Sequence, residues 1–326
     1  ERVGRHDNFF ELGGHSLLAV RLVASIVGRM PYAASLQDVY AFPSLAELAR
    51  RLSAGGGNDA VIRVGGQGEE ERLFILHELH GGIAYARDLA GHLGQGRSIY
   101  ALPGIDEHGN LLAEPDMGRL ARIHAARIRS LQAKGPYSLA GWSVGGTIAH
   151  AVAAELSAQG EEIAFLGLID SMPDYSSLAA RLEQRQRAER NERVAMLFFW
   201  LELEHGYDEA GLASLRSLPN PDEMLSTALK EVGRPAAGTL TEEWSHLATR
   251  WMTLKAALSY QPKRLAAPTV LFVATDSLAA SLDEGWRQSC PDLRVETIKG
   301  DHYSILQMPA ILALGEAFRK RLAKEA

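Results

Sequence analysis

Gly141-Trp142-Ser143-Val144-Gly145 places a hydroxyl nucleophile between two glycines at fixed spacing. The apolar run before it, Tyr137-Ser138-Leu139-Ala140, reads as a buried strand. The run after it, Thr147-Ile148-Ala149-His150-Ala151-Val152-Ala153, reads as a helix. A serine at such a strand-to-helix turn is held in strained backbone, with glycines on either side so that the two elements can approach closely. Its Oγ then faces the positive end of the helix, where developing negative charge is stabilised. The chemistry this predicts is nucleophilic attack on an acyl carbon.

A serine nucleophile needs a base, and the base needs an orienting acid. Of eleven histidines, His302 stands out, because it follows Lys299-Gly300-Asp301 in the loop after the last predicted strand. That is the place of the base in the chain order serine, acid, histidine of an α/β-hydrolase. His124 and His150 lie in helical patterns and read as surface or core residues, while His77 and His80 end an early strand. Two acids compete for the orienting role: Asp170, at the end of the strand after the serine, and Asp276, after the following strand. The residues alone divide the role almost evenly between them. The oxyanion of a tetrahedral intermediate calls for two N–H donors. The first is the amide of Val144, and the second comes from the loop His77-Glu78-Leu79-His80-Gly81-Gly82.

The elements that must position these groups follow from the hydrophobic pattern. Ser53-Ala54-Gly55-Gly56-Gly57-Asn58 reads as a flexible linker. Before it the pattern is helical: one amphipathic helix follows Ser16, and another, through Leu45, Leu48 and Leu52, has Ser44 as its N-cap. After it, apolar strands alternate with helices, with strands at 61–64, 73–76, 99–102, 137–140, 163–169, 268–273 and 294–298. That alternation predicts a mostly parallel sheet covered on both faces. The rhythm breaks between about Ser171 and Lys263, where only helical patterns occur, and an insertion of that kind reads as a lid. Its charged stretch, Glu183 to Arg193, is expected to face solvent or the N-terminal domain, and Phe198, Phe199 and Trp200 to face inward.

Composition narrows the classes. The chain has 326 residues, 46% of them hydrophobic, which suffices for one large core and a small second domain. The net charge of −6 is spread without a basic stripe, which argues against nucleic acid as a partner. No apolar run is long enough to span a membrane, and the first residues lack the pattern of a signal peptide. A single cysteine, Cys290, in a polar stretch before Pro291, fits a reducing, cytoplasmic compartment and reads as structural or incidental. No metal is called for.

A second motif lies near the start. Leu12-Gly13-Gly14-His15-Ser16-Leu17 sets a serine after a glycine pair at the head of a helix. An N-cap explains it, and so does a phosphodiester on that hydroxyl. Asp7-Asn8-Phe9-Phe10-Glu11-Leu12-Gly13-Gly14-His15-Ser16-Leu17 resembles the signature of a peptidyl carrier protein of nonribosomal peptide synthetases. The remainder resembles the type I thioesterase that ends such assembly lines, through Gly141-Trp142-Ser143-Val144-Gly145-Gly146, Leu166-Gly167-Leu168-Ile169-Asp170 and Gly300-Asp301-His302-Tyr303.

The resemblance implies a termination didomain. Its parts are a small all-α carrier domain over 1–53, a linker over 54–60, and an α/β-hydrolase thioesterase over 61–326 with its lid at about 171–263. It implies 4′-phosphopantetheine on Ser16, attached by a phosphopantetheinyl transferase. It also implies upstream condensation and adenylation modules, and a peptidyl thioester as substrate. It favours Asp170 over Asp276 and places the second oxyanion amide at Leu79. Family members often carry proline where Glu78 stands, so a loop of different shape or charge is expected here. Carrier proteins have a further helix ahead of the Asp7-Asn8-Phe9-Phe10 segment, so the chain reads as a piece of a longer synthetase. A lipase or esterase with a helical appendage, and an inactive carrier-docking module, are the competing readings.

Overall fold

The computed structural model describes residues 3–14, 18, 19, 22, 23, 26, 36–53, 61–68, 71–105, 112, 114–233, 240–277 and 282–323. Ser16 and the linker at 54–60 lie outside the described residues. The chain divides into two compact units, Glu1–Gly57 with Ser176–Trp251, and Asn58–Tyr175 with Met252–Ala326.

In the first unit, residues 18, 19, 22, 23 and 26 are helical and are followed by α1 (Leu36–Ala41) and α2 (Leu45–Ser53). Ala19, Ile26, Val39, Leu48 and Leu52 form a small buried core against Phe9, Phe10, Leu22, Val23 and Phe42. Ser44 caps α2 as expected: its Oγ accepts the Glu47 N–H at 3.3 Å and donates to Glu47 Oε2 at 2.8 Å. A backbone bridge from Asn8 to Ser44 and the Phe9 N–H bond to Pro43 O tie the Asp7–Phe10 segment down.

The second unit is built on a seven-stranded sheet. In chain order its elements begin with β1 (Ile62–Gly65), β2 (Arg72–Leu76), α3 (Ala84–Ala90), β3 (Ser98–Leu102), α4 (Met117–Leu131), β4 (Tyr137–Trp142), α5 (Val144–Ala158) and β5 (Ile163–Ile169). The strand order is β1-β3-β2-β4-β5-β6-β7, where β6 is Thr269–Ala274 and β7 is Leu293–Ile298. β1 is antiparallel and the rest are parallel, as the apolar runs of the central strands predict. Strand order reverses between β2 and β4, so the loops at their carboxyl ends border the crevice where open parallel sheets bind ligands.

Between β5 and β6 run α6 (Ser176–Ala188), α7 (Glu192–His205), α8 (Glu209–Arg216), α9 (Pro221–Glu231) and α10 (Leu240–Ser259); β7 is preceded by α11 (Leu282–Ser289), and α12 (Ala310–Leu322) ends the described chain. Phe198, Phe199 and Trp200 of α7 are buried, in line with the sequence pattern. The charged stretch before them is exposed for the most part, as expected, with Arg185 as its buried exception. Arg185 bonds Glu202 and sits 3.4 Å from Glu189 and 2.8 Å from Glu209, and Arg216 closes the network onto Glu189 and Glu209. An arginine at that depth is tolerable only because carboxylates from the next two helices face it. Cys290 is fully buried just after α11, and burial pushes its thiol up.

Among the described residues three histidines are fully or almost fully buried: His77 after β2, His124 in α4 and His150 in α5. Burial pushes the imidazoles of His77 and His150 down to about 4, and that of His124 well below its ordinary value. All three are neutral in the fold at neutral pH and gain protons on unfolding. Between the ordinary 6.5 and about 4 the unfolded chain therefore binds more protons, and stability falls as pH falls through that window. Melting temperature should decline across it, with a shallower slope in His150→Gln. An unchanged slope would mean that this ring is not held neutral.

Candidate active site

β4 ends at Trp142, α5 begins at Val144, and Ser143 between them has φ 55° and ψ −129°. A non-glycine residue in that region costs on the order of 1–3 kcal/mol and persists only where its surroundings over-determine it. Those surroundings are glycine. A Cβ on Gly141 would lie 2.0 Å from Gly145 O, and one on Gly145 would lie 2.7 Å from His77 O. The Ser143 N–H bonds Ile169 O at 2.9 Å, locking the turn to the end of β5. Val144, as the first residue of α5, has an N–H with no carbonyl one turn behind it.

Asp170 follows β5 at once, and its φ of 42° turns the carboxylate back over the strand ends. Oδ1 accepts the Ala274 N–H at 3.0 Å, and Oδ2 accepts the Ser277 hydroxyl at 2.9 Å and faces His302 Nδ1 at 2.6 Å. Burial works to raise this carboxyl, but the bonds from His302, Ala274 and Ser277 outweigh it and hold Asp170 below the usual carboxylate value. With Asp170 ionised, Nδ1 carries the imidazole proton. Nε2, 3.1 Å from Ser143 Oγ, is then the acceptor of the hydroxyl proton.

His302 is held by more than its acid. Asp301 Oδ1 accepts the N–H groups of Tyr303 and Ser304 at 2.9 and 2.8 Å, which shapes the turn. The Trp142 indole N–H bonds His302 O at 3.0 Å, and its ring stacks on the imidazole at 5.0 Å. The backbone N–H of Trp142 in turn bonds the Tyr85 hydroxyl at 3.1 Å, and that hydroxyl donates to Leu76 O.

The structure thus brings Ser143, His302 and Asp170 into one hydrogen-bonded chain. Asp276 joins differently, through its backbone N–H to Gly300 O at 2.8 Å. Leu79 lies in the loop after β2 and Val144 opens α5, with Gly145 packed against His77 O. The buried rings of His77 and His124 lie 5.2 Å apart, and the ring nitrogen that meets Ser143 Oγ is Nε2 of His302. Sequence reasoning gave no part to Ser277, Trp142 or Tyr85. Trp142 stood inside the quoted motif, but nothing local showed that its indole would reach a residue so distant in sequence.

Residues 71–318 match the family model described as Thioesterase domain, and residues 1–52 the one described as Phosphopantetheine attachment site. The chain belongs to the thioesterase-domain family. With the carrier segment ahead of it, it is a termination didomain of the nonribosomal peptide synthetase kind. It is 38% identical over 184 residues to malpibaldin synthetase of Mortierella alpina, covering 55% of this chain and 3% of that protein. It is 28% identical over 333 residues to a probable non-canonical nonribosomal peptide synthetase, CymA, of Salinispora arenicola, covering 98% of this chain and 4% of that one. The chain therefore spans only a small fraction of these relatives.

Among solved structures, a holo four-domain nonribosomal peptide synthetase bound to AMP and glycine matches with TM-score 0.67 and 26% identity over 98% of this chain and 24% of its own. The NocB thioesterase domain matches with TM-score 0.55 and 20% identity over 81% of this chain and 99% of its own, which shows the shared fold. The match of residues 1–52 counts against a helical appendage on a lipase. Among the described residues no helix is long and apolar enough to cross a membrane.

The geometry separates the two acids by experiment. Asp170→Asn should lower turnover of an acyl thioester by about 10⁴-fold, because a neutral amide neither fixes the tautomer nor stabilises the imidazolium. Asp276→Asn should leave most of it. Equal losses in steady-state kinetics would show that His302 is oriented through the other strand.

Proposed function

We propose that this chain releases an acyl or peptidyl group held as a thioester on a 4′-phosphopantetheine arm at Ser16. The observation that carries the reading is the hydrogen-bonded chain Asp170–His302–Ser143 at the head of α5. Ser16 itself lies outside the described residues; the match of residues 1–52 to the phosphopantetheine attachment site supports it as the serine that bears the arm. The arm, when attached, supplies a thiol that carries the acyl group as a thioester.

His302 Nε2 takes the Ser143 hydroxyl proton as Oγ bonds to the thioester carbonyl carbon. The carbonyl oxygen becomes an oxyanion, held by the N–H groups of Val144 and Leu79. Collapse breaks the C–S bond, and His302 returns the proton to the departing sulfur. The acyl group is then an ester on Ser143. Water, or an amine or hydroxyl of the peptide itself, gives a proton to His302 and attacks that ester, and Ser143 leaves as its alcohol. Asp170 stabilises the imidazolium in both halves.

The helical insertion leaves the sheet directly after Asp170 and returns at β6. We assign it the part of a lid that favours either water or the internal nucleophile. Upstream condensation and adenylation modules would supply the peptide, and a phosphopantetheinyl transferase the arm.

The test loads the full chain with an acyl-pantetheine from the acyl-coenzyme A and a promiscuous transferase, followed by intact mass. Wild type should shed the acyl group, and Ser143→Ala should keep it on the arm. Ser16→Ala should accept no arm, yet still turn over a soluble thioester. Release by Ser143→Ala at the wild-type rate would overturn the reading.

A further inference from the structure

The loop from His77 to Ile83 contains a carboxylate that the reaction itself does not use. Glu78 Oε2 accepts the His80 N–H at 2.8 Å, and Oε1 accepts the Gly82 N–H at 3.0 Å. The backbone of Glu78 bonds the same loop, its N–H to Gly82 O at 3.1 Å and its carbonyl from the Gly81 N–H at 2.9 Å. Leu79 is therefore flanked by a residue whose carboxylate is anchored and by a residue whose amide anchors it. The loop is also fixed from outside. His77 N–H bonds Leu102 O, Gly104 N–H bonds Gly81 O, and Gly145 abuts His77 O.

A carboxylate beside a developing oxyanion would oppose catalysis if its charge were bare. Here two amide protons and the His80 ring, Nδ1 at 3.3 Å, take up its lone pairs, and the Glu78 side chain is only 14% exposed. The charge is spent on the loop. Gly81 has φ 78°, and with Gly82 it would otherwise leave the segment with much conformational freedom.

We propose that Glu78 is a positioning residue, whose carboxylate holds the Leu79 amide at the distance from Val144 that a tetrahedral oxyanion requires. This rests on the acyl-transfer reading above. Misplacing a reacting or stabilising group by about 1 Å costs up to about 10²-fold in rate. The cost falls on the transition state and spares ground-state binding.

The experiment uses the full chain with a soluble N-acetylcysteamine acyl thioester and compares Glu78→Ala, Glu78→Gln and Ser143→Ala. Glu78→Ala should lower kcat by about 10- to 100-fold, with KM changed by less than about threefold. Affinity for an acyl-mimicking boronic acid, whose serine adduct is tetrahedral, should fall by the same factor as kcat. Melting temperature and the pH midpoint of kcat/KM should stay at the wild-type values, because Glu78 does not touch His302 or Asp170. Glu78→Gln, whose single amide oxygen can take one of the two N–H bonds well, should lie between.

Wild-type kcat in either variant overturns the proposal. So does a kcat loss accompanied by a lowered melting temperature or a shifted pH midpoint, since that is a structural role only. If Glu78→Ala does not fold, Glu78→Gln decides on the same readouts. Activity retained in Ser143→Ala would instead sink the acyl-transfer reading, whatever Glu78 does.

Discussion

The site depends on how closely β4 and α5 meet. Ser143 can sit at φ 55° only if the chain before and after it runs almost in contact, and at Gly141 there is no room for even one methyl group. That close turn does three things together. It lifts Oγ out of the strand and sets it at the start of a fifteen-residue helix. It leaves the Val144 amide outside the helical ladder. It also presses Gly145 onto His77 O, which fixes the loop after β2 relative to the serine. The strain at one residue is borne by glycines whose neighbours leave no room for a side chain.

The other two side chains arrive by a different route. Asp170 and His302 stand on loops from β5 and β7, separated in the sheet by β6. The bonds that join those loops are mostly to backbone: Asp170 N–H to Phe272 O, Asp170 Oδ1 from Ala274 N–H, and Asp276 N–H to Gly300 O. A carboxylate that accepts three donors and is almost fully buried can serve as a rigid support for an imidazole that is one-third exposed.

Much of this arrangement is legible in the chain. Strand β5 runs over the seven apolar residues expected of it, and Ser44 caps α2 from a local rule that needs no tertiary information. Ser143 and His302 are legible because their strand-to-loop contexts are local. The choice between Asp170 and Asp276 is not, since both end strands on the same edge of the sheet and only the backbone turn at Asp170 separates them. The Trp142 indole on His302, the Ser277 hydroxyl on Asp170 and the buried Arg185 are pairings across long stretches of chain. The charged sequence around Arg185 reads as solvated, because polar neighbours in sequence need not be neighbours in space.

Release through this site requires that the acyl group pass through Ser143. Rapid-quench mass spectrometry of the wild-type chain, mixed with excess soluble acyl thioester and digested at successive times, observes that step. The acyl mass should appear on the peptide bearing Ser143 before product accumulates, and should decay as product forms. Product formation with Ser143 unmodified at every time, or an acyl mass confined to another residue, would contradict it.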